Sequence, residues 1–372
     1  MLYVAKGITM STSLIIQLLI ARTNGAANFG IMSLFLNISL IFSTLGDWGV
    51  GLNGPAMVLQ ANGQSWAALA NYWRKRLSML AGAGMALFLF LCYPALAPQM
   101  VWGLILVLGH GFLQDWYDRG LLQPDRSSYR QMLQGLLQVS AVAVIIFSGL
   151  GMHWVLVAYG GMAVFSYFIF YRRIDTSSFT DQEKISWLKQ QFPVLAGWAF
   201  YYITYNIPAL LLGYLFSPDT LGLYASHYFI YATVGTFSVI TMDIFMAKPN
   251  DHSRKFWITL SSILGMLMIL ISQLYYPLLF GNKGFSWDPV LNMEMLVLCG
   301  ILGLRLYHLN GLLMSGDTRA FGSWNALSLV LHLALIALVF IFMGKYGLWM
   351  AAAGLIMAEV LTLLLFFIKR KS

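Results

Sequence analysis

Arg305 is a basic residue inside a long apolar run, MLVLCGILGLRLYHL. A charge at bilayer depth costs roughly 3 kcal/mol on insertion scales, so it must face a cavity or a partner. The guanidinium fork suits the paired oxygens of a diphosphate or an acidic sugar, and His308 lies one turn further along the same helical face. Alternatively, Arg305 forms a buried ion pair with Glu359, a carboxylate in the last apolar run, or with another carboxylate. The sequence leaves both interpretations open.

Two further groups in apolar runs could carry protons. Glu359 by itself is a candidate proton-coupling site, since a carboxylate inside a membrane helix changes charge when it binds a proton. His110 lies in a run where Gln114 and Asp118 follow at intervals of four, which places all three on one helical face. His110 is therefore either a hydrogen-bonded packing residue or a proton relay.

The composition of the chain explains why such groups stand out. Of its 372 residues, 59% are hydrophobic and 10% are charged, whereas a soluble domain has roughly a quarter charged residues. This balance predicts an all-α polytopic membrane protein. Cys92 and Cys299 both lie in apolar runs, so neither a disulfide framework nor a metal site is expected. No glycine-rich loop followed by Lys-Ser/Thr is present, so direct use of ATP is not expected either.

The apolar runs predict twelve membrane helices, each close to the roughly 20 residues needed to cross the hydrocarbon layer. The predicted segments are 2–21, 29–50, 77–97, 100–122, 131–150, 152–171, 192–216, 221–246, 256–280, 289–313, 321–343 and 346–368. Between them, SWAALANYWRKRL and ISWLKQQF are amphipathic and are expected to lie along the inner membrane surface.

Loop charge predicts the orientation. With both termini in the cytoplasm, inner segments receive eighteen Lys and Arg residues, and outer segments receive only Arg22, Lys283 and Lys345. This is the positive-inside pattern. The net charge of +8 is spread over seven inner segments rather than gathered on one face, so it does not indicate nucleic-acid binding.

Two landmarks recur at nearly one offset. Gly30 and Gly222 occupy matching positions 192 residues apart, and Trp116-Tyr117-Asp118-Arg119-Gly120 lies 191 residues before Tyr307-His308-Leu309-Asn310-Gly311. A shared offset predicts two copies of one six-helix half, 1–185 and 186–372, as in many transporters.

Three stretches carry a family resemblance: NIPALLLGYLFSPDTLGLYASHYFIYA, IARTNGAANFGIMSLFLNISLIFSTLGDWGVG and DWYDRGLLQPDRSSYRQML. Together they resemble the Wzx-type polysaccharide flippases of the multidrug/oligosaccharidyl-lipid/polysaccharide exporter superfamily. The resemblance implies a MATE-like fold in which two six-helix bundles form a V around a cavity. It also implies an undecaprenyl-diphosphate-linked oligosaccharide as substrate, turned from the inner to the outer leaflet of the bacterial cytoplasmic membrane. Membrane lipids, and the polysaccharide polymerase with its chain-length machinery, are the further partners that it suggests.

The same resemblance places the first, second, seventh and eighth segments at the cavity. Tyr201, Tyr205 and Asn206 would then offer ring faces and hydrogen bonds to sugars, although aromatic residues also form belts at membrane interfaces. Arg22, at the outer end of the first segment, would attract the diphosphate or anchor the helix. Where many relatives carry an acidic residue, this chain has Asn206-Ile207-Pro208.

Asp47 and Asp243 lie in the inner thirds of the second and eighth segments. Either could close the inner side of the cavity by pairing with Lys6 or Lys248, or could simply be solvated at a helix end.

Two other functions remain open from the sequence. A cation-coupled multidrug exporter of the same fold would require a membrane-embedded carboxylate in each half. A polysaccharide polymerase or ligase would require positioned acids or bases on a sizeable loop, and the outer loops are short and hold only Asp219 and Asp288 as carboxylates. We therefore expect a transporter without catalytic residues, cofactor or metal.

Overall fold

The structure is a computed structural model that describes residues 2–58, 63–121, 124–170, 174, 179–246, 251–281, 283–314, 317–343 and 347–371. The described residues form helices and connecting turns, without a strand among them. In chain order the helices are α1 (Leu2–Asp47), α2 (Val50–Val58), α3 (Gly63–Cys92), α4 (Ala97–Met100), α5 (Leu104–His110), α6 (Asp115–Gly120), α7 (Pro124–Phe147), α8 (Met152–Ile169), α9 (Asp181–Leu215), α10 (Pro218–Met246), α11 (Asp251–Leu270), α12 (Ser272–Phe280), α13 (Pro289–Met314), α14 (Thr318–Met343) and α15 (Gly347–Lys371).

The prediction of an all-α polytopic membrane protein is confirmed. Seven of the described helices are long and apolar enough to cross a bilayer, and the pair α11 and α12, bent by 71°, would make eight. α1 is interrupted at Gly25, whose φ of 80° lies outside the helical region, so its apolar section divides near the predicted boundary between the first two segments. Each of the twelve predicted segments overlaps at least one described helix.

The prediction of one continuous helix over residues 100–122 is wrong. The segment 100–122 is broken into α4, a 3-10 turn at Val101–Gly103, α5 and α6, with residues 111–114 outside any helix. The helical face predicted for His110, Gln114 and Asp118 therefore does not exist. Each amphipathic stretch is the first part of a long helix, α3 or α9, and its place along the inner membrane surface stays a prediction.

The helix starts follow local chemistry. Thr180 and Glu183 form a capping box before α9, in which the Thr180 N–H donates to Glu183 Oε2 at 2.8 Å and the Glu183 N–H donates to Thr180 Oγ1 at 3.3 Å. Asp288 caps α13 by accepting from the Val290 N–H at 2.8 Å. These caps satisfy N–H groups that a helix start would otherwise leave unpaired.

The contacts divide the chain into two compact units. The first unit contains Met1–Thr23 and Phe35–Ala199, and the second contains Asn24–Leu34 and Phe200–Ser372. The predicted halves, 1–185 and 186–372, are defined by internal repetition rather than by contacts, and they stay a prediction.

A close helix crossing lies within the second unit. A Cβ atom added at Gly222 would be 2.0 Å from the Ala26 carbonyl oxygen, and one added at Gly30 would be 2.4 Å from the Pro218 carbonyl oxygen. The contact is reciprocal, because each glycine faces the residue four positions before the other glycine. The absence of a side chain at both positions allows the two backbones to approach.

An aromatic cluster packs beside this crossing. The Phe29 ring meets the rings of Phe229, Phe280 and Phe285 edge-on, with centroid separations of 6.1, 5.7 and 5.8 Å. The Ala26 N–H donates to the Lys283 carbonyl at 3.1 Å. The chain just after Gly25 is thereby joined to α10, α12 and the loop after α12.

Candidate functional site

The candidate site is a buried polar cluster in the second unit, built on α9, α13, α14 and α15. Arg305 of α13 forms an ion pair with Glu359 of α15, and their side chains are 2% and 0% exposed. The predicted pairing of these two residues is therefore present in the structure. An uncompensated buried charge would be costly, and each residue of the pair neutralises the charge of the other.

α14 supplies the remaining polar partners of the pair. Arg305 donates to the Asn325 Oδ1 and, at 3.3 Å, to the Ser328 hydroxyl. The Ser328 hydroxyl donates in turn to Glu359 Oε1 at 2.8 Å. His332, one turn beyond Ser328, is also fully buried. These α14 residues were not among the sequence candidates, although their spacing of three and four places them on one helical face.

Two tyrosines of α9 cover the guanidinium. The Arg305 Cζ lies 5.1 Å from the centroid of the Tyr201 ring and 5.2 Å from that of the Tyr205 ring. The two rings are 4.8 Å apart. A guanidinium over an aromatic face is attracted by the ring quadrupole, more strongly when water is excluded. Arg305, Tyr201 and Tyr205, which were separate candidates in the sequence, thus belong to one cluster.

The cluster retains hydrogen-bonding capacity. Arg305 Nε, Glu359 Oε2 and the Tyr205 hydroxyl are shielded from water and have no hydrogen-bond partner among the described residues. Buried polar atoms without partners are uncommon and costly. Tyr205 is buried, at 5% exposure, whereas Tyr201 is only partly buried. A ligand could therefore reach the cluster at Tyr201.

The structure places three other candidates apart from this cluster. The His308 ring packs against Phe366 and Phe367, at centroid distances of 5.7 and 4.8 Å. Asn206 donates to the Tyr202 carbonyl of its own helix at 2.7 Å. Arg22 is exposed at a position within the first unit.

A second polar cluster lies in the first unit. Arg130 of α7 forms an ion pair with Asp115 of α6, its guanidinium carbon lies 4.8 Å from the Tyr167 ring, and Gln131 donates to Asp115 at 3.1 Å. An arginine paired with a carboxylate and covered by a tyrosine therefore occurs in both units.

Asp47 belongs to this region as well. It forms an ion pair with Arg74 at 2.7 Å and accepts from the Gly51 N–H at 2.7 Å. Asp47 thus pairs with an arginine of α3, whereas the sequence suggested Lys6 or Lys248. The side chains of Lys6, Lys248 and Asp243 lie outside the described residues.

His110 is the last of the candidates. It closes α5 just before the break at residues 111–114, and it lies within electrostatic range of Arg74 and Asp47. It therefore lies in the electrostatic field of two ion pairs, Asp47–Arg74 and Asp115–Arg130, rather than on a helical face shared with Gln114 and Asp118.

The described residues contain no group of three or more His, Cys, Asp or Glu side chains that could hold a metal ion.

Comparison with known proteins places the fold. Neither a protein-family model nor a curated protein matches the chain. Among solved structures, the lipid II flippase MurJ in an inward closed conformation matches with a TM-score of 0.69 at 10% identity, over 100% of this chain and 87% of that one. An inward-facing multidrug resistance MATE family transporter of the MOP superfamily matches with a TM-score of 0.65 at 11% identity, over 97% and 93%.

A third solved structure is the MATE transporter VcmN of Vibrio cholerae in its bent form. It matches with a TM-score of 0.54 at 16% identity, over 95% of this chain and 96% of that one. At these identities the likeness concerns the fold. The chain has the fold of the MATE and MurJ transporters.

Proposed function

We propose that this protein is a flippase that moves an undecaprenyl-diphosphate-linked oligosaccharide from the inner to the outer leaflet of the bacterial cytoplasmic membrane by alternating access. It performs no covalent chemistry. The likeness in fold to a lipid II flippase supports a lipid-linked substrate, and the three sequence stretches that resemble Wzx-type flippases support an oligosaccharide. The polysaccharide polymerase that would receive the flipped substrate is a proposed partner.

Three ion pairs between carboxylates and arginines carry the proposal. Asp47, Asp115 and Glu359 each form an ion pair with an arginine. A cationic drug that bound one of them would have to displace that arginine and leave it uncompensated, which costs about 3–5 kcal/mol for a buried pair. A sugar needs ring faces and hydrogen bonds instead, so these pairs favour an oligosaccharide over a cationic drug.

Tyr201 is the proposed sugar contact. Tyr201 is partly buried, and the Tyr205 ring and the Arg305 guanidinium pack against its ring. A fixed aromatic face binds a sugar ring without losing side-chain freedom on binding. Arg305 in this arrangement positions the aromatic wall, and it would reach a diphosphate only by leaving Glu359.

A reconstituted assay tests the proposal. Purified protein is placed in liposomes that carry lipid-linked oligosaccharide, and the glycan that becomes accessible to an external glycosidase is measured over time. We expect Tyr201→Ala to slow flipping about 2–10-fold, as the loss of an aromatic contact implies, and Tyr201→Phe to keep most of the rate. Tyr214→Ala is the control, since Tyr214 lies on the same helix and is 61% exposed.

One result would contradict the flippase function, and another would contradict the role of Tyr201. One is a flipping rate equal to that of protein-free liposomes when the protein is folded. The other is equal rates for the Tyr201→Ala and Tyr214→Ala proteins, which would remove Tyr201 from the substrate path while leaving flipping itself intact.

A cation-coupled exporter is the second candidate function, and Glu294 of α13 favours it. Glu294 is only partly buried, and its Oε2 has no hydrogen-bond partner among the described residues. A membrane carboxylate without an arginine partner is what a cation or proton would bind. Glu294→Gln should then abolish drug efflux driven by an ion gradient, whereas it should leave oligosaccharide flipping unchanged unless flipping is coupled through the same residue.

A further inference from the structure

An exposed apolar stripe runs along one side of α3, which is long and apolar enough to cross a membrane. Its large members are each 55–71% exposed: Met79, Leu80, Leu87, Phe90 and Leu91. At about 100° per residue, all five lie within about 60° of one line along the helix. Met85 and Leu89, on the opposite side of α3, are fully buried. Because lipid tails are as apolar as leucine, the stripe suits an acyl chain.

The stripe has about the length of one leaflet and begins at a cation. Met79 to Leu91 spans about 18 Å at 1.5 Å per residue, and half of the hydrocarbon core is about 15 Å thick. Arg76 is exposed and lies on the same line, one turn before Leu80. In the predicted topology this end of α3 faces the cytoplasm.

Two cations lie over one aromatic ring at this end. The Arg76 Cζ is 3.6 Å from the centroid of the Tyr72 ring, and the Nζ of Lys184, in α9, is 5.4 Å from the same centroid. The two charges are therefore closer together than the Debye length of about 10 Å at 0.1 M salt, so salt does not fully screen their repulsion. An anion bound by both would relieve this repulsion.

Hydrogen bonds within the first unit hold both cations in place. Arg76 Nη1 donates to the Tyr72 carbonyl at 3.3 Å. The Trp73 Nε1–H donates to the Lys184 carbonyl at 3.2 Å, which ties α3 to the first turn of α9. An anion that binds Arg76 and Lys184 together therefore meets a preformed site, which lowers the entropic cost of binding.

The acidic residues at the start of α9 leave both cations available. Lys184 donates to Asp181 at 3.0 Å, but the Asp181 side chain is 91% exposed, and exposed ion pairs contribute little to stability. Glu183 accepts from the Thr180 N–H and the Thr180 hydroxyl, each at 2.8 Å, in the capping box. An anion can therefore bind Lys184 without breaking a strong interaction.

A phosphate suits this pair of donors. A guanidinium presents N–H groups in one plane that bind phosphate oxygens in pairs, and a lysine adds a point charge. The headgroup of a zwitterionic lipid also has a phosphate, but its own cation would be repelled by Arg76 and Lys184. We propose that Arg76 and Lys184 bind the phosphate of an anionic phospholipid of the inner leaflet, whose acyl chain packs along the apolar stripe of α3.

Native mass spectrometry of the full-length protein in detergent tests this site. The protein is titrated with phosphatidylglycerol or with phosphatidylcholine of the same acyl chains, and the intensities of the lipid adducts give a dissociation constant for each lipid. We expect the wild-type protein to bind its first phosphatidylglycerol at least about 5-fold more tightly than its first phosphatidylcholine. Arg76→Gln should weaken phosphatidylglycerol binding about 5-fold, the usual contribution of one basic residue at an anionic membrane surface. Lys184→Gln should act similarly, and neither change should alter phosphatidylcholine binding.

Two further variants separate this site from a general effect of charge. Arg319→Gln is the matched control, because Arg319 is an exposed arginine near the start of α14, in the second unit, and is predicted to face the same side of the membrane. It should leave the preference for phosphatidylglycerol unchanged. Arg76→Lys keeps the charge but loses the planar fork, so it should keep only part of the preference.

Equal dissociation constants for the two lipids in the wild-type protein would overturn the proposal. An unchanged constant for phosphatidylglycerol in both the Arg76→Gln and the Lys184→Gln proteins would do the same. Displacement of phosphatidylglycerol by a tenfold lower concentration of undecaprenyl diphosphate would assign the two cations to that lipid instead, and it would also overturn the proposal. The measurement involves no transport, so a protein that flips its substrate without distinguishing the two phospholipids contradicts only this site.

Discussion

Gly222→Ala is expected to destabilise the protein through the helix crossing in the second unit. The added Cβ would lie 2.0 Å from the Ala26 carbonyl oxygen, 2.6 Å from its carbon and 3.0 Å from the Ala26 Cα. All three are backbone atoms, so no side chain can rotate away to make room. The two helices must separate by about 1 Å or more to relieve the contact between the added Cβ and the Ala26 carbonyl oxygen. That separation would weaken the other packing contacts between the helices.

The magnitude follows from the cost of overpacking, which is about 1–3 kcal/mol for an added methyl group in a well-packed region. Gly30→Ala should cost less than Gly222→Ala, because its nearest approach is 2.4 Å rather than 2.0 Å. The double substitution should cost less than the sum of the two, since one separation of the helices relieves both contacts. Leu at either position should reduce the amount of folded protein in the membrane.

Gly161→Ala is the matched control. Gly161 lies inside α8, and an added Cβ there would meet nothing within 4 Å. Alanine favours a helix over glycine by about 1 kcal/mol, so this change should be neutral or stabilising. The same substitution is thus expected to lower the stability of the protein at Gly222 and to preserve or raise it at Gly161.

The assay measures thermal unfolding of the detergent-purified proteins. Samples are heated to a series of temperatures, and size-exclusion chromatography gives the fraction that remains monodisperse. By the scaling of mid-sized domains, a loss of 1–3 kcal/mol lowers the midpoint by roughly 2–10 °C. An unfolding midpoint of the Gly222→Ala protein equal to that of the wild type would refute the argument from close backbone approach. So would a lowered midpoint for Gly161→Ala but not for Gly222→Ala.

Three further predictions can be checked in cells. Lys and Arg asymmetry predicts the side of the membrane that reporter fusions will show, and a single reversed fusion would contradict the two-half topology. Cytoplasmic signals are expected after Gly63, Ser177 and Asn250, and outer signals after Asp219 and Asn282. Arg305→Gln or Glu359→Gln alone should lower protein abundance, since each leaves a buried charge unpaired at a cost of about 3–5 kcal/mol, and the double change should restore it. Restored surface glycan in that double variant would exclude Arg305 as a substrate contact, whereas good abundance with glycan trapped inside would indicate one. His308→Phe should preserve abundance and export, because the ring packs against Phe366 and Phe367, and loss of export with normal abundance would return His308 to the substrate path.

The sequence by itself determined the class of the protein and the position of its helical segments. Hydropathy is a local property of about 20 residues, so each apolar run reports its own segment without regard to the others. The 192-residue offset also predicts Gly30 and Gly222 to be matching positions, and the structure places the two in contact. The sequence did not reveal the break after His110, because residues 111–114 have no strong turn signal beyond a single glycine.

Only the tertiary structure decided which polar residues meet. Arg305 and Glu359 were suspected partners, but Asn325 and Ser328 of α14 complete their network, and nothing local in the sequence linked α14 to α13. Asp47 forms its ion pair with Arg74 rather than with a lysine. Periodicity assigns a residue to one face of its own helix. Which residue of a neighbouring helix it contacts depends on how the two helices are rotated and packed, and this packing is determined by contacts between residues distant in the chain.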